Sequence, residues 1–196
     1  MTILYFVRHG KTDHSGKRIT GTIPGVGLNP EGIRQANRIA DYFAAISLTA
    51  IYASPLERAM ETAGAAGKAR AMSIQPVNFL KEINFGAYQG KGEDLAQDPL
   101  WNKFLTNPAT VCFPGGESVI EAQSRIVMGL NELSRNHTKQ EEILCVAHCE
   151  ILRLAIASAL MIPLDEYMRV TLDTGSISKL DWTVDKQKVY FLNHVP

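Results

Sequence analysis

The 196-residue chain reads as an α/β protein: a three-layer α/β/α sandwich around a mixed, mostly parallel sheet. Three observations predict it. Continuous runs rich in β-branched and aromatic residues recur, as in Ile3-Leu4-Tyr5-Phe6-Val7, without the polar alternation of a half-solvated strand. Helix-start signals fall between these runs. Near the end, two alternating segments flank a polar turn at Asp185-Lys186, which gives a closing hairpin and an antiparallel edge. Strands alternating with helices place helices on both faces of one sheet.

The elements follow in order. Ile3 to Val7 is a strand buried on both faces. Asn29-Pro30-Glu31 opens a helix, with Asn29 as its N-cap and Pro30 in the first position. Ile33, Ala36, Asn37, Ala40 and Phe43-Ala44 keep the helical period behind it. Ala50 to Ala53 is a second buried strand. Ser54-Pro55-Leu56-Glu57 has the form of a capping box and starts the next helix. Ile74 to Asn78 is a weaker strand that Pro76 assigns to an edge. Ser118-Val119-Ile120-Glu121 is another capping box, opening a helix to about Arg135. Glu142 to Ala147 is the next buried strand, with helix from Glu150 to Met161. Ser176 to Asp181 and Lys188 to Asn193 form the hairpin, whose apolar edge suits pairing of two copies into a homodimer.

Glu82 to Glu117 fits neither period. It is rich in Gly, Asn, Asp and Pro and carries Phe85, Tyr88, Trp101, Phe104 and Phe113. A stretch this long reads as a functional excursion over one end of the sheet, a lid of about residues 82–117 on a single domain of residues 1–196. Its aromatics would pack on each other or on an organic leaving group.

Composition narrows the function. With 45% apolar and 20% charged residues the chain is neither disordered nor fibrous. Twenty Lys+Arg balance twenty Asp+Glu, so no net field draws in nucleic acid or anionic lipid. No apolar run reaches the roughly 18 residues of a membrane span, and the first ten residues do not resemble a secretory signal. Cys112, Cys145 and Cys149 cannot pair completely and lack CxxC spacing. They fit free thiols in a reducing cytoplasm, with no metal site.

Chemistry concentrates where strands end. Arg8-His9-Gly10, Ser54 to Arg58, and His148-Cys149 all stand at carboxyl ends of strands, the edge where open α/β sheets bind ligands. Two of these turns lead into helices, whose first amides and positive dipole end favour an anion. Two arginines and two histidines converging there describe a pocket for a doubly charged group, most simply a phosphate. Arg58 opposes its own helix dipole unless an anion answers it. Two decoys fall away. Gly10-Lys11-Thr12 looks like the end of a P-loop, but that motif needs glycine where Tyr5 stands. A cysteine-phosphatase loop through Cys149 would need an arginine where Ala155 stands, although a thiol at a helix start is expected to have a lowered pKa.

The motifs together resemble one family over essentially the whole chain. They are Arg8-His9-Gly10-x-Thr12, Thr20-Gly21, Leu28-Asn29-Pro30-Glu31-Gly32 and Gln35-Ala36. Then come Ala53-Ser54-Pro55-Leu56-Glu57-Arg58-Ala59, Thr62-Ala63 and Leu80-x-Glu82-x-x-Phe85-Gly86. Pro114-Gly115-Gly116-Glu117-Ser118 and Val146-Ala147-His148 with Arg153 complete the set. In this order they are similar to the histidine phosphatase superfamily, whose fold is called phosphoglycerate mutase-like. The resemblance implies a metal-independent phosphomonoester hydrolase working through a phosphohistidine, without a cofactor, on a small phosphorylated metabolite. It makes His9 the nucleophile, its second ring nitrogen held by a backbone carbonyl, and has Arg8, Arg58 and His148 grip the phosphoryl oxygens. It makes Glu82, which alone reads as a solvated loop carboxylate, the acid–base group. Ser15, Gly21 and Cys149 would complete the phosphate and substrate contacts.

The chain departs from the family pattern at three positions. Lys11 replaces a usual Glu, Ser15 a usual Asn, and Cys149 the usual Gly after the second histidine; Ser15 to Gly21 is also about one residue short. Three activities share such a pocket: hydrolysis, a phosphoglycerate mutase-type transfer, or phosphate binding with weak catalysis. The lid's only cations, Lys91 and Lys103, against Glu93, Asp94, Asp98 and Glu117, favour hydrolysis over a mutase.

Overall fold

The computed structural model describes residues 2–92 and 95–196, so Glu93 and Asp94 of the lid lie outside the described residues. The sheet has six strands in the order β3-β2-β4-β1-β5-β6. They are β1 (Thr2–Arg8), β2 (Leu48–Ala53), β3 (Ile74–Pro76), β4 (Glu142–Ala147), β5 (Ile177–Trp182) and β6 (Gln187–His194). β3, β2, β4 and β1 run parallel. β5 is antiparallel to both β1 and β6, so the reversed strand lies inside the sheet and the outer strand β6 runs with β1. β3 is an edge, as Pro76 requires, and covers only three residues.

The pleat distributes the core. Leu4 and Phe6 of β1 join Ile143 and Cys145 of β4 on one face, under α4 (Val119–Asn136) and α5 (Cys149–Ala159). Tyr5 and Val7 join Leu144 and Val146 on the other face, under α1 (Pro30–Phe43) and α2 (Glu57–Arg70). Continuous apolar strands thus reflect burial on both sides.

Two helix starts form as expected. The Asn29 side chain accepts the Gly32 amide, and Ser118 and Glu121 make a reciprocal capping box. The start of α2 differs. Leu56 occupies the cap with no side-chain bond, because Ser54 is turned to His148 and Glu57 accepts the Gly25 amide instead. Ser54 still accepts the Leu56 N–H at 3.3 Å. α5 begins at Cys149, one residue before the expected start.

The excursion after β3 contains α3 (Pro99–Thr106), whose N-cap Asp98 accepts the Trp101 amide. Phe85, Phe104 and Phe113 are buried against one another at centroid distances of 5.3–5.7 Å. Each such pair contributes about 0.5–1.5 kcal/mol beyond its area. The lid therefore has its own aromatic core, continuous with the α4–α5 side of the sheet.

Candidate active site

The carboxyl ends of β1 and β4 are neighbours in register, Arg8 opposite Ala147. The next residues, His9 and His148, are therefore adjacent, and their ring centroids lie 5.1 Å apart. A cavity of about 180 Å³ opens there, and Arg8, His9, Arg58 and Glu82 contribute to its wall.

His9 is oriented by the backbone. Its Nδ1 lies 2.7 Å from the Gly10 carbonyl oxygen, which can only accept, so the proton resides on Nδ1 and Nε2 carries the lone pair. Arg58 Nε–H donates to that Nε2 at 3.3 Å. Burial, then the charges of Arg58 and Arg8, hold His9 well below the usual imidazole range, against the Gly10 bond. The ring is neutral near pH 7 and keeps its lone pair.

His148 is fully buried behind the cavity wall, its Nε2 2.7 Å from Ser54 Oγ. A hydroxyl that accepts the Leu56 amide has its own proton to give. Given to Nε2, that proton leaves the His148 hydrogen on Nδ1, the tautomer in which Nδ1 can donate to a phosphoryl oxygen. Nδ1 has no hydrogen-bond partner among the described residues, and neither do Arg8 Nε and Arg58 Nη1. Burial first, then Arg58, His9 and Arg8, hold His148 well below its ordinary value.

The arginines are braced on carbonyls. Arg8 Nη1 donates to the Leu172 oxygen at 2.5 Å, and Arg58 Nη2 to the Gly21 oxygen at 2.7 Å. Gly21 has φ +51°, and a Cβ there would stand 2.3 Å from Gln89 Oε1. Glycine is required because Gln89 Oε1 accepts the Thr22 amide close beside it, at 2.6 Å.

Glu82 is buried and clasped by amides: its Oε1 accepts from Ile83 and Ile151, its Oε2 from Glu150, all at 3.0–3.1 Å. Burial, then the charge of Glu150, push its carboxyl above the usual range, against the Ile83 and Glu150 amides and Arg58.

Of the residues singled out from the sequence, Arg8, His9, Ser15, Gly21, Arg58, Glu82 and Cys149 line the cavity, with His148 packed behind it. Three details add to the sequence reading, and the second reverses it. The Ser15 hydroxyl accepts the Thr12 amide at 3.0 Å, so it shapes the loop after β1. Burial, then Glu150, push the Cys149 thiol up to about 12, the reverse of the lowering expected at a helix start. Lys11 is exposed and does not line the cavity, whereas Arg18, which no motif marked, does. Phe85, Trp101 and Phe104 supply an apolar wall, so the lid aromatics serve both its core and the cavity. Arg125 and Glu150 also went unmarked. Among the described residues, no three His, Cys, Asp or Glu stand together as a metal site, and no helix is long and apolar enough to cross a membrane.

The chain is similar to proteins of known description. A bifunctional protein of Mycobacterium tuberculosis is 29% identical over 187 residues, 94% of this chain and 51% of that protein. The chain thus spans about half the length of the first curated relatives it matches. Phosphoserine phosphatase 1 of Hydrogenobacter thermophilus is 24% identical over 196 residues, covering 98% of this chain and 92% of that one. A phosphoserine phosphatase from Entamoeba histolytica, solved in complex with 3-phosphoglyceric acid, superposes with a TM-score of 0.87 at 27% identity, over 99% of this chain and 98% of that one. Residues 4–195 match the description "Histidine phosphatase superfamily (branch 1)", and the chain belongs to that family.

Proposed function

We propose that the chain is a phosphomonoester hydrolase acting through a phosphohistidine on His9. The observation that carries this reading is the neutral His9 imidazole, its proton anchored on the Gly10 carbonyl and its Nε2 facing Arg58. In the first step the Nε2 lone pair forms a bond to phosphorus as the ester P–O bond breaks. The electron pair leaves on the ester oxygen, which takes the Glu82 proton. Arg8, Arg58 and the Nδ1–H of His148 hold the phosphoryl oxygens, stabilising charge that spreads over them. In the second step water gives a proton to Glu82 and its oxygen bonds phosphorus. The N–P bond then breaks and returns its pair to His9, releasing phosphate.

Transfer between two positions of one substrate is favoured less. A mutase needs further cations to retain an intermediate, but Lys91 lies 4.0 Å over the Tyr88 ring and Lys103 is outside the cavity wall. Arg18 does line the cavity and has no side-chain partner among the described residues, which suits a small substrate bearing a second anionic group. Relatives named for phosphoserine support that class. The segment 82–117 works as the lid of one catalytic unit, and the free thiols suit a reducing cytoplasm.

Phosphate release from a panel of small phosphomonoesters, with and without EDTA, tests the reading. Turnover should survive the chelator, acid-labile phosphate should be trapped on the wild type, and His9→Ala should abolish both. Turnover without histidine labelling sinks the mechanism, and interconversion of 2- and 3-phosphoglycerate without phosphate release would make the chain a mutase.

A further inference from the structure

Glu82 has a second carboxylate beside it. Glu150 lines the same cavity, and its own N–H is one of the three that clasp Glu82. Its carboxylate is fixed from the other side: Arg153 Nη1 donates to Oε1 at 2.8 Å, and the Tyr167 hydroxyl donates to Oε2 at 2.7 Å. Arg153 is anchored in turn on the Val170 carbonyl at 2.8 Å. The two carboxylates are therefore unequal. Glu150 has an ion pair to itself, whereas Glu82 faces a guanidinium already committed to Gly21 and His9.

Two neighbouring carboxylates, one of them buried, do not both ionise cheaply, and the proton stays on the member with the weaker cationic partner. Resting on the phosphatase reading above, we infer that Glu150 is a positioning residue for the acid–base step: held by Arg153 and Tyr167, it keeps on Glu82 the proton that the leaving oxygen must receive. The other groups facing Glu82 fit this role. Arg58 comes from α2, and the Arg125 guanidinium of α4 donates to the Glu82 carbonyl at 3.4 Å. Cys149, on α5, and Tyr167, on the turn Leu164–Arg169, are both pushed up by burial and stay neutral. Among the described residues Glu150 is the anion whose charge opposes ionisation of Glu82.

The test compares wild type with Glu150→Gln, which keeps size and hydrogen bonding and removes the charge. With an alkyl phosphate such as phosphoserine, the fall of kcat/KM at rising pH should move acidward by about one unit, roughly a tenfold loss on the alkaline side. With p-nitrophenyl phosphate, whose phenolate leaves without a proton, the loss should be smaller, so the ratio of the two activities falls. Glu150→Asp should restore the limb. An unmoved limb and an unchanged ratio overturn the inference while leaving the phosphatase reading intact; absence of any turnover in wild type overturns that reading instead. Carbon-13 NMR of glutamate-labelled protein supplies a readout free of turnover. The Glu82 carboxyl should titrate lower in Glu150→Gln, and an unmoved Glu82 overturns the inference whatever the kinetics.

Discussion

Ser54 looks like a helix cap in the sequence and acts as a histidine's partner in the fold. Its hydroxyl accepts one amide and meets His148 Nε2 at 2.7 Å, and giving its proton there sets the tautomer whose Nδ1 donates toward the phosphoryl group. Ser54→Ala removes that donor while leaving the arginines braced on their carbonyls. The expected outcome is a fall in kcat of about tenfold to a hundredfold with KM changed less, since a misassigned tautomer weakens a contact made most strongly in the transition state. Steady-state kinetics on one alkyl phosphate checks it, and an unchanged kcat would remove Ser54 from the machinery. Arg18 acts on selectivity instead. Its guanidinium is exposed at the cavity and answers no described acid, so Arg18→Ala should leave glycerol 3-phosphate hydrolysis nearly constant. The same variant should lose about fivefold in kcat/KM for 3-phosphoglycerate, as one exposed charge contact is removed. Equal losses on both esters would refute that assignment.

At the scale of elements, the strands and helices that were legible are those whose local chemistry and final environment agree. Asn29-Pro30 and Ser118 with Glu121 cap their helices as written, because nothing in the fold competes for their side chains. Ser54-Pro55-Leu56-Glu57 carries an equally good local signal and fails, because His148 and the Gly25 amide claim its two polar side chains. α3 was missed although Asp98-Pro99 repeats the Asn29-Pro30 signal: its short helix packs into the lid's own core, outside the period of the main sandwich. The histidines and arginines at strand ends were legible because register puts β1 beside β4. Arg125 was not, because its function depends on a loop 43 to 47 residues away in sequence. From α4 its Nη1 donates to the Phe79 and Lys81 carbonyls at 2.9 and 3.0 Å, and its Nη2 to Glu117 Oε1 at 2.7 Å. These bonds tie the segment that presents Glu82 to a rigid helix. Arg125→Met should therefore cost about 2 kcal/mol of stability in urea unfolding. It should also lower kcat for alkyl esters more than for p-nitrophenyl phosphate. A variant as stable as wild type with normal kinetics would show that the segment holds itself in place.

For the molecule as a whole, the site sets how stability responds to acid. His9 and His148 are both held well below 6.5, so the folded chain keeps them neutral while the unfolded chain protonates them as pH falls through that value. Each such group contributes stability that is complete above its unfolded value and is lost on acidification, at about 1.4 kcal/mol per pH unit. Glu82 has the opposite sign. Its folded value is raised above 4.5, so between those values the folded chain binds a proton that the unfolded chain has released. That stability is present at low pH and is lost as pH rises through the folded value. The carboxylates held below their ordinary values, such as Glu31, Glu57 and Glu121, change only below the ordinary carboxyl range and leave the interval from pH 6.5 to 5 to the site. Within it, the two histidines disfavour the folded state as pH falls, and proton uptake by Glu82 acts in the opposite direction. Wild-type stability should therefore fall as pH drops through this interval, and that of Glu82→Gln, which cannot take up the proton, should fall more steeply. Urea unfolding at pH 6.5, 5.8 and 5.0 measures both slopes. Parallel lines for the two proteins would mean that Glu82 is ionised in the folded state throughout the interval, and a carboxylate without a proton cannot serve as the acid in the first step.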